Sequence, residues 1–79
     1  MKASVIELLQ KQIKIDESVD NDADLFFLGL NSISFMHFIV DLESHYEVEV
    51  LDEELSAKNF ATVNKILEFI NLKKEGVGI

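Results

Sequence analysis

Apolar residues recur at helical spacing in three stretches of the chain. Between Lys2 and Ile15, Val5, Ile6, Leu9 and Ile13 share one face and Lys2, Lys11 and Lys14 lie off it, which predicts a first helix with a core-facing stripe. Ser4 and Glu7 have capping-box spacing near its start. Between Ser32 and Tyr46, at about 100° per residue, Phe35, Phe38, Ile39, Leu42 and Tyr46 fall within one arc of roughly 100°. The third stretch begins at Val63. Ile66, Leu67 and Ile70 continue its stripe, Thr62 stands as its cap, and Lys73 and Lys74 complement its C-terminal end. Asp52 to Ala57 reads as a short helix anchored by Leu51 and Leu55, with Asp52, Glu53 and Glu54 near its positive end. Glu47 to Val50 is an extended link able to tuck Val48 and Val50 inward. The pattern predicts an all-α fold, a small four-helix bundle of three longer helices and one short one. It forms a single domain over residues 1–79, with Gly76 and Gly78 marking a flexible tail over residues 74–79.

The connection between the first two longer helices is the stretch that calls for explanation, because about sixteen residues is long for a compact domain. Its first half, Asp16 to Asp24, is acidic and shows no periodicity. Its second half, Leu25-Phe26-Phe27-Leu28-Gly29-Leu30, is too apolar for a free loop and is expected to fold back over the bundle. Gly29 permits a sharp turn that a Cβ would resist. Asn31 is a good N-cap, which puts Ser32 on the first helical turn, at the surface, at the positive end of the helix dipole. Ile33, Met36 and Val40 then form a second apolar stripe, about 110–130° from the core face and flanked by His37, Asp41 and Ser44. Two readings stay open for it: extra core in a crowded bundle, or a docking surface beside the serine.

Charge narrows the choice of partners. The net charge is −8; twelve acidic residues and no lysine lie between Asp16 and Ala57, and the chain has no arginine. A nucleic-acid backbone would be repelled, whereas basic patches on protein partners would be attracted; the same charge also keeps a small protein soluble. With no cysteine, neither a disulfide nor a thiolate metal site supplements the core. No apolar run is long enough to span a bilayer and no signal-peptide core opens the chain, so a cytoplasmic monomer is expected.

The residues supply little catalytic machinery. His37 is five positions from Ser32, about half a helical turn out of line, and His45 is further along, so neither makes a nucleophile–base pair. The two histidines lack ligand companions for a metal. Asp20-Asn21-Asp22-Ala23-Asp24 imitates the start of a calcium loop, but Leu25 replaces the required glycine and Asn31 stands where a bidentate glutamate belongs. No phosphate-binding glycine loop is present. The chain is therefore read as no enzyme, with no metal site.

Leu28-Gly29-Leu30-Asn31-Ser32-Ile33, followed by Leu42-Glu43, Tyr46 and Val48-x-Val50, resembles the acyl and peptidyl carrier proteins, and the similarity continues through Asp52-Glu53-Glu54 to Thr62, Val63 and Ile66. The family motif is usually Gly-x-Asp-Ser-Leu. The resemblance implies an acyl-carrier-type bundle and a 4′-phosphopantetheine arm, taken from coenzyme A and attached to Ser32 beside Gly29 and Asn31. It further implies docking through Ile33, Met36, His37, Val40, Asp41, Glu43 and Ser44. The implied partners are a phosphopantetheinyl transferase, an acyl- or aminoacyl-activating enzyme, and downstream transferases with basic docking patches. Fatty acyl, polyketide and aminoacyl or nonribosomal-peptide cargos all stay open, each held as a thioester. Two departures stand out: Asn31 replaces the usual aspartate, and Phe27 replaces a frequent acidic residue, adding either packing or an apolar rim. Asn59-Phe60-Ala61-Thr62 looks more like stand-alone carriers associated with amino-acid activation. The competing reading is an unmodified acidic helical adaptor for basic proteins. Five aromatic rings, Phe26, Phe35, Phe38, Phe60 and Phe69, leave little room for a long chain and favour a short or polar cargo.

Overall fold

The structure, a computed structural model, describes residues 2–76. Four α-helices are present: α1 (Lys2–Gln10), α2 (Ser32–Tyr46), the short α3 (Ala57–Phe60) and α4 (Val63–Gly76). A single 3₁₀ turn, Asp52–Glu54, precedes α3, and no strand occurs among the described residues. Helix α1 packs against both α2 and α4, and α3 packs along α4. Val5, Ile6, Leu9, Phe38, Leu42, Phe60, Val63, Ile66 and Ile70 are almost fully buried, so every predicted stripe supplies the core. Leu8, which the first-helix stripe omitted, is buried too.

Three boundaries differ from those read in the sequence. Helix α1 ends at Gln10 rather than Ile15. Ile13 is buried and Ile15 half-buried against the same core. Two residues so spaced lie about 200° apart on a helix, so only unwound chain can turn both inward. Ser4 is not the cap; it lies inside α1, where its hydroxyl engages Tyr46. The short helix expected over Asp52 to Ala57 is divided. Ser56 N–H donates to the Glu54 carbonyl at 2.9 Å, and Leu55 takes φ −78°, ψ 77°, an inverse γ-turn that separates the 3₁₀ turn from α3. Leu55 packs against the core, but Leu51 is exposed and anchors nothing. At the other end α4 runs through Gly76, later than the expected start of the tail at residue 74; residues 77–79 lie outside the described residues.

The acidic connection has a regularity of its own. Asp16, Asp20 and Asp24, four residues apart, each accept a backbone N–H from two residues on: Ser18 at 2.8 Å, Asp22 at 2.8 Å and Phe26 at 2.9 Å. Short aspartate side chains substitute for a missing backbone partner in this way, making three successive turns. The Ser18 hydroxyl also donates to Asp16, and these two bonds hold the Asp16 carboxyl below its ordinary value. The connection is then fastened to the start of α4. Asn64 N–H donates to the Asn21 carbonyl at 3.0 Å, the Asn64 amide to Asp22 at 2.7 Å, and Leu25 N–H to the Ala61 carbonyl at 2.8 Å. The expectation of no periodicity held for apolar residues and missed this spacing of turn formers.

Candidate functional site

From Leu25 the chain makes one more turn before α2. Leu25 and Leu30 are buried, and Phe26 is half-buried with its ring 5.7 Å from that of Phe35. Leu28 N–H donates to the Asp24 carbonyl at 3.2 Å, and Leu30 N–H closes back onto the Leu25 carbonyl at 3.1 Å. Gly29 has φ 120°, the left-handed region that side chains disfavour. A Cβ there would sit 3.7 Å from Ile13 Cγ2, an ordinary contact, so glycine is required by conformation rather than by space. Only half of this apolar turn faces inward. Phe27 is 87% exposed and Leu28 38%.

Asn31 caps α2 as its residue type predicts. Its Oδ1 accepts from Ile33 N–H and Ser34 N–H, both at 3.0 Å. The Ser34 hydroxyl closes the reciprocal bond, accepting from Asn31 N–H at 2.9 Å. Ser34 was not singled out in the sequence, although Asn31-x-x-Ser34 has capping-box spacing. The cap distinguishes the two serines. Ser34 is partly buried with its hydroxyl engaged, while Ser32 is exposed on the first turn and its hydroxyl makes no hydrogen bond among the described residues.

The faces of α2 separate as their spacing requires. Phe35, Phe38, Ile39 and Leu42 are buried, whereas Ile33, Met36 and Val40 are 72%, 44% and 59% exposed. The second stripe is not core. His37 and Ser44 are exposed beside it and Asp41 is half-buried. Glu43 stands apart from them: its carboxylate accepts from Val50 N–H at 3.0 Å and ties the link after α2 to the helix. His45 lies against Tyr46, with ring centroids 4.7 Å apart, remote from Ser32 along the helix. No group of three or more carboxylate or imidazole side chains forms a metal site among the described residues.

The aromatic residues make a continuous run of tilted and edge-on contacts. Phe26 meets Phe35 at 5.7 Å between centroids, Phe35 meets Phe60 at 5.6 Å, and Phe60 meets Phe69 at 4.8 Å, linking the loop, α2, α3 and α4. Lys73 Nζ lies 5.5 Å from the centre of the Phe69 ring and 2.7 Å from the Glu54 carboxylate. That ammonium, bonded to Glu54, holds its carboxyl below the ordinary 4.5.

Comparison with known proteins bears on this geometry. A family described as "Phosphopantetheine attachment site" matches residues 3–70. The D-alanyl carrier protein of Streptococcus thermophilus is 38% identical over 69 residues, 86% of this chain and 87% of that protein. The aminoacyl carrier protein of Agrobacterium fabrum is 29% identical over 79 residues, covering 96% and 95%. Among solved structures, the fold matches a chain in the complex of an engineered Bradyrhizobium japonicum glycine:[carrier protein] ligase with a carrier protein from Agrobacterium tumefaciens and AMP. That match has a TM-score of 0.81 and 27% identity, over 90% of this chain and 99% of that one.

Proposed function

Because the chain belongs to the phosphopantetheine-attachment family of stand-alone carrier proteins and takes a 4′-phosphopantetheine prosthetic group, we propose that Ser32 is its attachment residue and that its cargo is a short or polar acyl group, most simply an aminoacyl group. The observation that carries this reading is the contrast at the start of α2, where Ser34 is committed to the cap and the Ser32 hydroxyl stands exposed. The surroundings fit the group. Ser32 is exposed, and the positive end of α2 favours the negative charge of a phosphodiester. When bound, the group supplies a terminal thiol on a long arm, which holds cargo as a thioester.

The protein's own residues position and present rather than catalyse. Gly29 and Asn31 set the direction in which Ser32 leaves the domain. Ile33, Met36 and Val40 form the docking face, with His37, Asp41 and Ser44 on its border and Glu43 fixed beneath it by Val50. The acidic surface attracts basic patches on a phosphopantetheinyl transferase, an aminoacyl-activating ligase and downstream transferases of a biosynthetic pathway. The names of the D-alanyl and aminoacyl relatives support the aminoacyl cargo. No described helix is long and apolar enough to cross a membrane, and a monomer in the cytoplasm is the proposed setting. The acidic surface alone, without the exposed serine, would fit an unmodified adaptor equally well, so the test is modification. Incubated with coenzyme A and a broad-specificity phosphopantetheinyl transferase, the protein gains the mass of one arm and Ser32→Ala gains none. An arm on the alanine variant, or on Ser34, overturns the assignment.

A further inference from the structure

The most exposed large apolar side chain among the described residues is Phe27, and it has been held outward rather than left loose. Its N–H faces Asp24 Oδ1 at 3.4 Å, beside the shorter bond from Phe26 at 2.9 Å. Phe26 occupies the inward side against Phe35, and buried Leu25 and Leu30 bracket the turn, so the Phe27 ring has no place in the core. Ser32 is five positions on from Phe27, at most about 18 Å of extended chain, and the turn at Gly29 shortens this. Phe27 and Leu28 therefore lie within that reach of Ser32, and both are exposed, as is Ile33 at the head of the stripe.

Resting on the carrier reading above, we infer that Phe27 is the partner-specifying anchor of this protein. Its ring inserts into an apolar pocket on the aminoacyl-activating ligase, whose rim is basic. The charge of the segment that leads into Phe27 argues for this occupant. Asp20, Asp22 and Asp24 are exposed immediately before Phe27, and Asp41 borders the far end of the stripe. A second copy of a chain with net charge −8 would bring like collars together, whereas a basic rim is attracted. An exposed aromatic that follows an acidic segment also has the composition of an interface anchor: the ring supplies buried area and the charges supply orientation. The ring is assigned to the loading step rather than to the installation of the arm, which the two KM values below separate.

The experiment uses the full chain carrying its arm, installed by a broad-specificity phosphopantetheinyl transferase. The glycine:[carrier protein] ligase of Bradyrhizobium japonicum, with glycine and ATP, is the loading probe. In the loading reaction Phe27→Ser and Phe27→Asp are expected to raise KM by about tenfold or more with kcat within about twofold, the signature of lost docking. Phe27→Leu restores most of the difference, and KM for arm installation changes by less than about twofold in all three. An unchanged loading KM in Phe27→Ser overturns the inference and leaves the carrier reading standing. Failure of the arm-bearing wild-type protein to accept glycine overturns the ligase as occupant, and failure to take the arm at all overturns both readings. Sedimentation is the remaining arm: wild-type dimers that dissociate in Phe27→Ser assign the ring to a second copy and sink the proposal. Each variant keeps its melting temperature because the ring is exposed, so unfolding does not confuse the result.

Discussion

Asn31 does two jobs that chemistry can separate. Its side-chain oxygen caps α2, and its neutrality removes the charge that an aspartate would place beside Ser32. Asn31→Ala should cost about 1 kcal/mol, read from denaturant melts, because two N–H groups lose their acceptor. Asn31→Asp should keep stability within about 1 kcal/mol, since the acceptor stays and the new charge meets the positive helix end. A loss as large as that of alanine would show that the amide, not the acceptor oxygen, is what the cap needs. Gly29→Ala should cost about 1–2 kcal/mol through its φ of 120° alone, as the added methyl would make only ordinary contact with Ile13. Gly29, Asn31 and exposed Ser32 were all legible because turn, cap and first helical turn are local relations. The role of Ser34 was equally local, and its spacing to Asn31 could have been read. The outward turn of Phe27 could not, since Leu25 to Leu28 offers four apolar side chains and only the packing of Phe26 on Phe35 decides which stay outside.

Among the elements, α2 carries two apolar faces, one buried and one exposed. Phe38→Ala should cost roughly 3–5 kcal/mol, a large share of the roughly 4–12 kcal/mol available to a domain of this length. Met36→Asp and Val40→Asp should change stability by less than about 1 kcal/mol while slowing loading by partner enzymes. Unfolding of either aspartate variant would return the exposed stripe to the core. The 3₁₀ turn is held differently, through the Glu54–Lys73 pair. Glu54 has its carboxyl lowered in the folded state, so the pair's contribution is present above the unfolded value of 4.5 and is lost as pH falls through the lower folded one. Lys73→Met should therefore melt slightly lower than wild type at neutral pH, by under about 1 kcal/mol for so exposed a pair, and the difference should vanish in acid. A difference that persists in acid would assign the effect to packing of the Lys73 stem on Phe69. Helix cores were legible from period alone, whereas the end of α1 and the division before α3 were not. Both depend on which side chains the assembled core draws in: Ile13 with Ile15 in one case, Leu55 without Leu51 in the other.

At the scale of the whole molecule the run of aromatic rings bears on where the proposed cargo is held. Sequestering a long acyl chain requires an apolar channel opened between helices near the serine. In this protein a run of rings from Phe26 through Phe35 and Phe60 to Phe69 joins the loop, α2, α3 and α4, and Phe38 is fully buried in the same core. Interiors are packed close to crystal density, so a channel there means displacing rings and losing their mutual contacts, about 0.5–1.5 kcal/mol per pair beyond the area exposed. A short or polar group would gain too little from burial to offset that cost, so the proposed cargo is expected in solvent on its arm. The arm-bearing protein loaded with a short acyl group and with a long one should thus melt at nearly the same temperature, or lower with the long chain. A rise of several degrees specific to the long chain would show that the rings part to admit it, and would move the cargo from the aminoacyl class to the fatty acyl class. Phe35→Ala makes the converse test. By breaking the stack at its centre it should lower stability by about 3–5 kcal/mol and, if the variant stays folded in the cold, open a space that a long chain can fill. A long chain that stabilises the alanine variant but not the wild-type protein would identify the rings as what excludes it.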